Sequence, residues 1–165
     1  PNLLYYFPRK EEIHRRLIAA LLDTWLAPLR DFDQNGDPFT EIRSYIRRKL
    51  GMARDFPRES RLFANEIVQG APRIKPILEG EINDLVLEKS TIMRKWMQEG
   101  RIKQVDPRHL IFSIWATTQH YADFEVQVQA LMTPEDPFAE AGAFLDTLYR
   151  RMLTPTPSPA ILGDA

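Results

Sequence analysis

The positions of the thirteen prolines constrain the fold of this chain more than any other sequence feature. Most of them lie between segments in which apolar residues recur every three or four positions, the spacing of one face of a helix. Proline is tolerated in the first turn of a helix but disrupts its interior. No segment between turn residues alternates cleanly between apolar and polar residues, so strands are not expected. The sequence therefore predicts an all-α fold of six helices with short connections.

The predicted helices begin and end at local signals. Asp-Pro pairs at 37–38, 106–107 and 136–137 place an aspartate at the N-cap and a proline at the first helical position. Gly70-Ala71-Pro72 and Gly100 are typical of helix ends. Pro28 predicts a kink or an early stop in the first helix. The predicted ranges are 9–30, 38–55, 58–69, 76–99, 106–130 and 136–153.

Composition limits the classes of protein that fit the chain. Its 165 residues suit one domain, and 44% hydrophobic with 27% charged residues is usual for a soluble globular protein. No apolar run is long enough to predict a membrane span, and no secretory signal is evident. Cysteine is absent, which excludes disulfides and cysteine chemistry and favours a cytoplasmic location. The net charge of −1 requires any contact with nucleic acid to be local.

Catalytic chemistry finds little support in the sequence. The histidines are His14, His109 and His120, and the last two lie about 16 Å apart along a helix, too far to share a metal ion. No HExxH, GxSxG, GxGxxG or P-loop pattern occurs. A hydrolase or transferase, the alternative, would need a nucleophile–base pair or a metal cluster. We therefore expect no enzyme, no metal site and no cofactor. Four glutamates follow the solvated sides of the predicted helices: Glu79, Glu81, Glu88 and Glu99.

The predicted helix 106–130 has two faces that need cover, because its side chains are mixed apolar and polar nearly all round. At about 100° per residue, one face carries Ile111, Trp115, Thr118, Gln119, Ala122 and Val126. The other carries Leu110, Ser113, Thr117, Tyr121, Phe124 and Val128. A central helix in a monomeric bundle fits this pattern. So does a helix that faces an internal cavity on one side and a partner subunit on the other.

A two-fold homodimer is the commonest closed oligomer, which favours the second arrangement. Small residues on the fifth helix would allow close approach of another helix, and the last helix could supply the second half of an interface. The candidate interface residues are Ser113, Thr117, Tyr121, Phe124, Phe144 and Leu148, with Leu145 and Met152 beside them.

Aromatic and amide side chains indicate recognition rather than catalysis. Trp25 and Trp115 lie on the core-facing stripes of two helices, and each offers a flat face to a planar ligand. Gln119, one turn after Trp115 and beside Thr118, supplies donors and an acceptor that suit a heterocycle with C=O and N–H edges. On the short third helix, Phe63 and Glu66 could add a wall and an acceptor. Ordinary core packing of the same residues is the alternative.

Several segments resemble the TetR family of transcriptional repressors. The opening NLLYYFPRKEEI is similar to the end of its DNA-binding domain. DTWLAPL (23–29), SRLFANEIVQGAP (60–72) and DPRHLIFSIWATTQHYADF (106–124) resemble the ligand domain of the pyrimidine-utilisation (Rut) branch. The last of these is long and specific, whereas the opening identifies only the superfamily. The resemblance extends to about Leu131 and fades in the last helix and the tail.

This resemblance implies a TetR-type C-terminal ligand-binding and dimerisation bundle, with only the end of the helix-turn-helix head present. The expected division is 1–8 for the remnant of the head, 9–153 for the ligand-binding and dimerisation domain and 154–165 for a flexible tail. The family's first two helices and most of its third would lie upstream of Pro1. We therefore expect a homodimer that binds operator DNA through a head missing from this chain, without a membrane partner.

The resemblance further implies that uracil or thymine enters between the first, second, fourth and fifth helices and releases the DNA. Trp25 and Trp115 would form the aromatic walls, and Gln119 would read the edge of the pyrimidine. The same positions in another TetR-type regulator could serve a drug, a fatty acid or another metabolite, but a long apolar effector predicts a pocket without polar readers. Weaker pocket candidates are Phe63, Glu66 and Thr118. Tyr5, Tyr6 and Lys10 match positions that contact the DNA backbone in the family, although packing of the head against the body is equally compatible.

Overall fold

The computed structural model of the chain describes residues 10–132 and 136–156, with the backbone alone at 10, 11 and 14. Within these ranges the regular structure is entirely helical, which confirms the predicted all-α fold. The elements are α1 (Lys10–Arg30), α2 (Pro38–Asp55), α3 (Pro57–Val68), α4 (Lys75–Ile77), a π-helical turn (Leu78–Ile82), α5 (Asn83–Gln98), α6 (Pro107–Asp123), α7 (Glu125–Met132) and α8 (Pro137–Leu153).

The three Asp-Pro pairs begin helices as predicted. Asp37, Asp106 and Asp136 are N-caps, and each side chain accepts a hydrogen bond of 2.8–2.9 Å from a backbone N–H two or three residues later. Each of these bonds satisfies one of the N–H groups that a helix leaves unpaired at its start. The proline that follows has no N–H to lose.

The two predicted glycine stops are also confirmed. Gly70 and Gly100 have φ angles of 88° and 69°, the left-handed region in which glycine carries no Cβ penalty. After each glycine the next backbone N–H bonds back to a carbonyl in the last turn, from Ala71 to Glu66 at 2.8 Å and from Arg101 to Trp96 at 2.9 Å. These bonds close the helix ends in the Schellman arrangement.

Two predicted helices are not continuous α-helices. The fourth contains the π-helical turn, which inserts one extra residue between α4 and α5. The fifth ends at Asp123 and resumes at Glu125, because Phe124 leaves helical geometry with φ −112° and ψ 32°. Arg61 donates to the carbonyl of Ala122 at 2.9 Å, replacing a helical N–H partner at this end. The prediction of one helix to residue 130 is therefore wrong.

The break also corrects the predicted faces beyond residue 123. Val126, expected on the core side with Trp115, is 82% exposed. Phe124, expected on the opposite side, is more than half exposed, whereas Val128 is buried. A change in backbone direction at one residue rotates every later side chain, so the periodicity of α6 does not carry over into α7.

α2 lies at the centre of the bundle, where it packs mainly against α6 and α8 and also contacts α1. Its buried stripe follows the helical period: Ile42, Tyr45, Ile46, Leu50 and Ala53. Pro28 lies inside α1, which continues to Arg30. In the described ranges, no helix combines the length and the apolar character that crossing a membrane requires.

Candidate ligand-binding site

A cavity of about 60 Å³ lies between α1, α2, α3, the π-helical turn and α6. Since roughly 10–15 Å³ is enough for one water molecule by the same measure, the space exceeds an ordinary packing defect. Its polar and aromatic lining consists of Trp25, Lys49, Phe63, Trp115 and Gln119, and four aliphatic side chains of α1 and the π-helical turn complete it. The cavity occupies the predicted position, with α3 as an additional wall.

Four of the predicted ligand residues meet at this cavity. Trp25 is 7% exposed, and its ring stands edge-to-face against Phe63, with 5.4 Å between the ring centroids. Trp115 and Gln119 approach from α6 on the opposite side. Spacing along each helix correctly indicated which side chains point inward, and the packing of α1 against α3 and α6 brings them together.

The indole N–H of Trp115 is used within the protein. It donates to the hydroxyl of Tyr45 at 2.5 Å, and Tyr45 is itself almost fully buried in α2. Burial raises the pKa of Tyr45, so this phenol stays protonated at neutral pH. Trp115 can therefore offer a ligand the face of its ring but not its N–H.

Gln119 differs from Trp115 because its amide forms no hydrogen bond with any described part of the chain, although it borders the cavity. An amide supplies two donors and an acceptor, so Gln119 can pair with a ring edge that carries both C=O and N–H. Its neighbour Thr118 is fully buried, and its hydroxyl donates to the Ile114 carbonyl at 2.7 Å. Thr118 borders only a smaller void of about 10 Å³ that also reaches Lys49 and Gln119.

Glu66 does not join the other predicted ligand residues. Its carboxylate is buried and accepts from the backbone N–H of Arg73 at 2.8 Å and from the Arg73 guanidinium at 2.7 Å. It lies outside the cavity lining. Although Glu66 follows Phe63 by three residues, it is directed to the connection after α3, where it fixes the chain between Gly70 and Ile74.

Lys49 is the main residue of the cavity that sequence reasoning missed. Its ammonium lies 5.6 Å from the centroid of the Trp25 ring, close enough for a cation–π interaction. Burial lowers the pKa of Lys49 to about 8, and the charge of Asp123 opposes part of this effect. The available signal was its position one turn after Tyr45 on the apolar stripe of α2, where a lysine is unusual.

A larger groove of about 660 Å³ adjoins the cavity on the side of α3 and α6. Phe63, Leu78, Trp115 and Gln119 line both spaces and so form the boundary between them. Apolar side chains of α3, including Ile67 and Val68, dominate the rest of the groove. Phe124, predicted as an interface residue, also lines it and stacks on His120 with 4.9 Å between ring centroids.

The second side of α6 is covered by α8 of the same chain. The hydroxyl of Tyr149 lies 3.1 Å from the hydroxyls of both Ser113 and Thr117. Tyr121 contacts the ring of Phe138, with centroids 5.9 Å apart. The close helix approach predicted from the small residues therefore occurs within one chain.

α8 retains an apolar stripe that faces away from its own bundle. Phe144 is 61% exposed, and Leu148 and Met152 follow at intervals of four residues, each more than a third exposed. The neighbouring stripe, which includes Leu145 and Tyr149, is buried. This outer stripe contains two of the predicted interface residues.

Some predictions lie outside the described residues. These include Tyr5, Tyr6, the side chain of Lys10, the segment 1–8 and the tail after residue 156. Within the described ranges, no group of three or more acidic or histidine side chains is arranged to hold a metal ion.

Comparison with known proteins agrees with the resemblance seen in the sequence. A TetR C-terminal family model described as "YcdC-like protein, C-terminal region" matches residues 18–156. The HTH-type transcriptional regulator RutR of Escherichia coli O157:H7 is 48% identical over 130 residues, which cover 79% of this chain. RutR of Escherichia coli K12 and RutR of Shigella flexneri give the same identity and coverage. The chain spans 61% of the length of these relatives. It belongs to the TetR family, in the group described as YcdC-like proteins.

Proposed function

We propose that this chain is the ligand-binding and dimerisation domain of a cytoplasmic transcriptional repressor whose effector is a pyrimidine base, uracil or thymine. The observation that carries the proposal is the unpaired amide of Gln119 beside two tryptophan faces in one cavity. The relationship to RutR, an HTH-type transcriptional regulator, supports the repressor role. The operator would be bound by a helix-turn-helix head of the kind that such regulators carry.

The cavity suits a small planar ring. Trp25 and Trp115 offer flat apolar faces, while Gln119 offers a donor and an acceptor to an edge with alternating C=O and N–H groups. A site that pairs polar edges rejects rings without them by large factors, because its own polar groups would then remain unpaired. Uracil and thymine present such an edge.

The attachment of the C-terminal end of α1 to neighbouring elements supports a mechanism by which ligand binding in the cavity could move the DNA-binding head. Lys89 donates to the carbonyl of Arg30 at 2.8 Å, and the Arg30 guanidinium pairs with Glu81 in the π-helical turn. The charged pairs described near the other end of α1, between Glu12 and its neighbours Arg15 and Arg16, are internal to the helix. The C-terminal end of α1 is thus attached to the π-helical turn, which lines the cavity, and to α5, which follows it.

A pivot at Arg30 would amplify movement at Trp25. Trp25 lies about 8 Å and Lys10 about 30 Å from that end at 1.5 Å per residue. Displacement of Trp25 by a ligand would therefore move the start of α1 roughly four times as far. In a dimer this changes the spacing of the two heads on DNA, and an affinity difference of about 1–3 kcal/mol between the two states shifts occupancy substantially.

Dimerisation is attributed to the outer stripe of α8. Phe144, Leu148 and Met152 form an exposed apolar row on one helix, and a two-fold axis would bring two such rows together. Sedimentation analysis should find a dimer that Phe144→Glu with Leu148→Glu dissociates. Ala143→Glu, on the other exposed side of α8, is the matched control and should leave the dimer intact.

Calorimetric titration tests the effector. Uracil or thymine should bind with one site per protomer, and Gln119→Leu should abolish measurable binding while leaving the fold intact. Gln98→Leu, an exposed glutamine at the end of α5, is the matched control. No heat from uracil, thymine or cytosine with the folded chain would refute the pyrimidine effector and leave the repressor class in place.

The outer groove favours a second candidate effector, a long apolar molecule such as a fatty acid or a drug. Its 660 Å³ and its lining of Phe63, Ile67, Val68 and Phe124 suit an extended chain better than a single ring. Titration with palmitate, followed by tryptophan fluorescence, distinguishes the two. An apolar effector should bind the Gln119→Leu variant at least as well as the wild type.

A further inference from the structure

We propose that Lys49 is the charged anchor of the cavity, so that its ligands must present an oxygen acceptor to α2. The inference rests on the proposed function, because it assumes that the cavity binds a planar effector. It adds a residue that the family resemblance did not supply. It also narrows the ligand class to rings with a carbonyl oxygen at a defined edge.

The first argument is that Lys49 lies at the cavity without a hydrogen-bonding or ion-pairing partner among the described residues. It lines both the 60 Å³ cavity and the adjoining small void. In the described part of the chain, its Nζ forms neither a hydrogen bond nor an ion pair, and its nearest polar interaction is with the Trp25 ring. The Lys49 side chain is partly buried, so an ammonium without an acceptor is unfavourable there, and a ligand oxygen would relieve part of that cost.

The second argument comes from the charged groups that face Lys49. Asp123 on α6 is the acid whose charge acts on Lys49, and one of its carboxylate oxygens accepts from the hydroxyl of Ser60 at 2.9 Å. Arg61 on α3 and His120 on α6 also act on Asp123, and Arg61 pairs with Glu125 at 2.9 Å. α1 and the π-helical turn contribute only Trp25 and aliphatic side chains to the lining. Among the described residues no side chain of this lining is paired with Lys49, which leaves its ammonium available to an acceptor oxygen of a ligand.

Lys49 and Gln119 together define the pattern that a ligand edge has to match. An ammonium is a donor only, whereas an amide can donate and accept. A ring with a carbonyl at Lys49 and an adjacent C=O or N–H at Gln119 satisfies both residues. With an amino group in place of that carbonyl, the ligand and the Lys49 ammonium would face each other as two donors without an acceptor. This disfavours aminopyrimidines such as cytosine in this orientation.

The charge of Lys49 also predicts how binding depends on pH. An acceptor oxygen favours the ammonium form, so ligand binding raises the pKa of Lys49 above the value of about 8 that burial gives it. Affinity for uracil should therefore fall as the pH rises from 7 to 9. Lys49→Arg keeps its charge throughout this range and should show a flatter profile.

The test is a set of calorimetric titrations of the 165-residue chain with uracil, 2-thiouracil and 4-thiouracil. Lys49→Met should weaken uracil binding by roughly 10- to 100-fold, the usual effect of losing a hydrogen bond to a charged group. Sulfur is a weaker acceptor than oxygen, so one of the two thio analogues should bind the wild type less well than uracil. That difference should disappear in Lys49→Met. Lys95→Met, at an exposed lysine of α5, should match the wild type with all three.

The outcomes separate the two proposals. Uracil binding to Lys49→Met within twofold of the wild type would overturn the role of Lys49 and leave the pyrimidine effector standing. No binding of uracil or thymine by the wild type would overturn both. Circular dichroism checks that the variants fold. Lys49→Leu, which also removes the donor, provides the same comparison if the methionine variant does not fold.

Discussion

Trp96 and Trp115 lie in two regions of the same bundle that differ in how closely they pack around a large aromatic side chain. Trp96 is 0% exposed, its N–H donates to the carbonyl of Gln34 at 3.0 Å, and its ring stacks on Phe32. Trp115 is only partly buried, and its ring borders a cavity in which Lys49 and Gln119 form no hydrogen bond with the described part of the chain. The region around Trp96 is filled and its indole N–H is paired, whereas the region around Trp115 contains the cavity that we propose as the ligand site.

Tyr45 joins the two regions. Its ring stands edge-to-face against Phe32, with centroids 5.4 Å apart, and its hydroxyl accepts from the N–H of Trp115. The closed core thus holds one wall of the cavity in place. A binding site gains accuracy when its walls are supported by a rigid packed shell.

The largest expected effect is on the closed region. Trp96→Ala should lower the free energy of unfolding by about 3–5 kcal/mol, since it leaves a large void in a filled core. Trp115→Ala should cost clearly less, because that ring already borders empty space. Urea denaturation of both variants measures the difference. Equal losses would show that the two regions are packed alike.

Tyr45→Phe tests the link between the regions. It leaves the buried N–H of Trp115 without an acceptor and should cost about 2 kcal/mol of stability. Tyr121→Phe is the matched control, because in the described ranges the hydroxyl of Tyr121 forms no hydrogen bond, and it should cost little. A negligible effect of Tyr45→Phe in urea denaturation would mean that Trp115 is not held through this bond.

Lys49→Met should stabilise the ligand-free chain by about 1–2 kcal/mol at pH 7. The pKa of Lys49 is lowered to about 8 in the folded chain, so below that pH the folded state carries the cost of a buried charge. As the pH rises above 8, the folded state loses this proton before the unfolded state does, and the wild type should recover part of the difference. Thermal denaturation at pH 7 and pH 9 measures both effects. A destabilised variant at pH 7 would contradict the cost assigned to the charge of Lys49 in the folded chain.

The smallest expected effect concerns a helix end that belongs to neither region. Asp37→Ala should cost about 1 kcal/mol through loss of the N-cap of α2. Hydrogen bonds from Thr40 lower the pKa of Asp37 below its ordinary value of 3.8. The ionised Asp37 side chain therefore contributes to the free energy of unfolding above pH 3.8, and this contribution is lost as the pH falls through the lowered pKa. Asp37→Asn keeps an acceptor and should retain stability at pH 7 without this acid dependence, as urea denaturation at pH 7 and pH 3 would detect.

Much of the site was accessible from the sequence because helical spacing orients side chains locally. Trp25 and Trp115 line the cavity, as their positions on core-facing stripes predicted, and Gln119 lines it on the face that it shares with Trp115. Phe63, a weaker candidate, lines it as well. Lys49 was missed because a lysine on a helix is normally solvated. The role of Tyr45 was missed because the bond it accepts comes from a residue 70 positions away.

The sequence by itself determined the helix starts after Asp37, Asp106 and Asp136 and the helix ends at Gly70 and Gly100. An N-cap aspartate, a first-turn proline and a left-handed glycine all act within one turn of the chain. Only the tertiary structure decided the π-helical turn, the break at Phe124 and the pairing of Glu66 with Arg73. The break at Phe124 involves Arg61 of α3, 61 positions before Ala122, and the Glu66–Arg73 pair spans the turn at Gly70. The helical periodicity of the sequence does not predict these features.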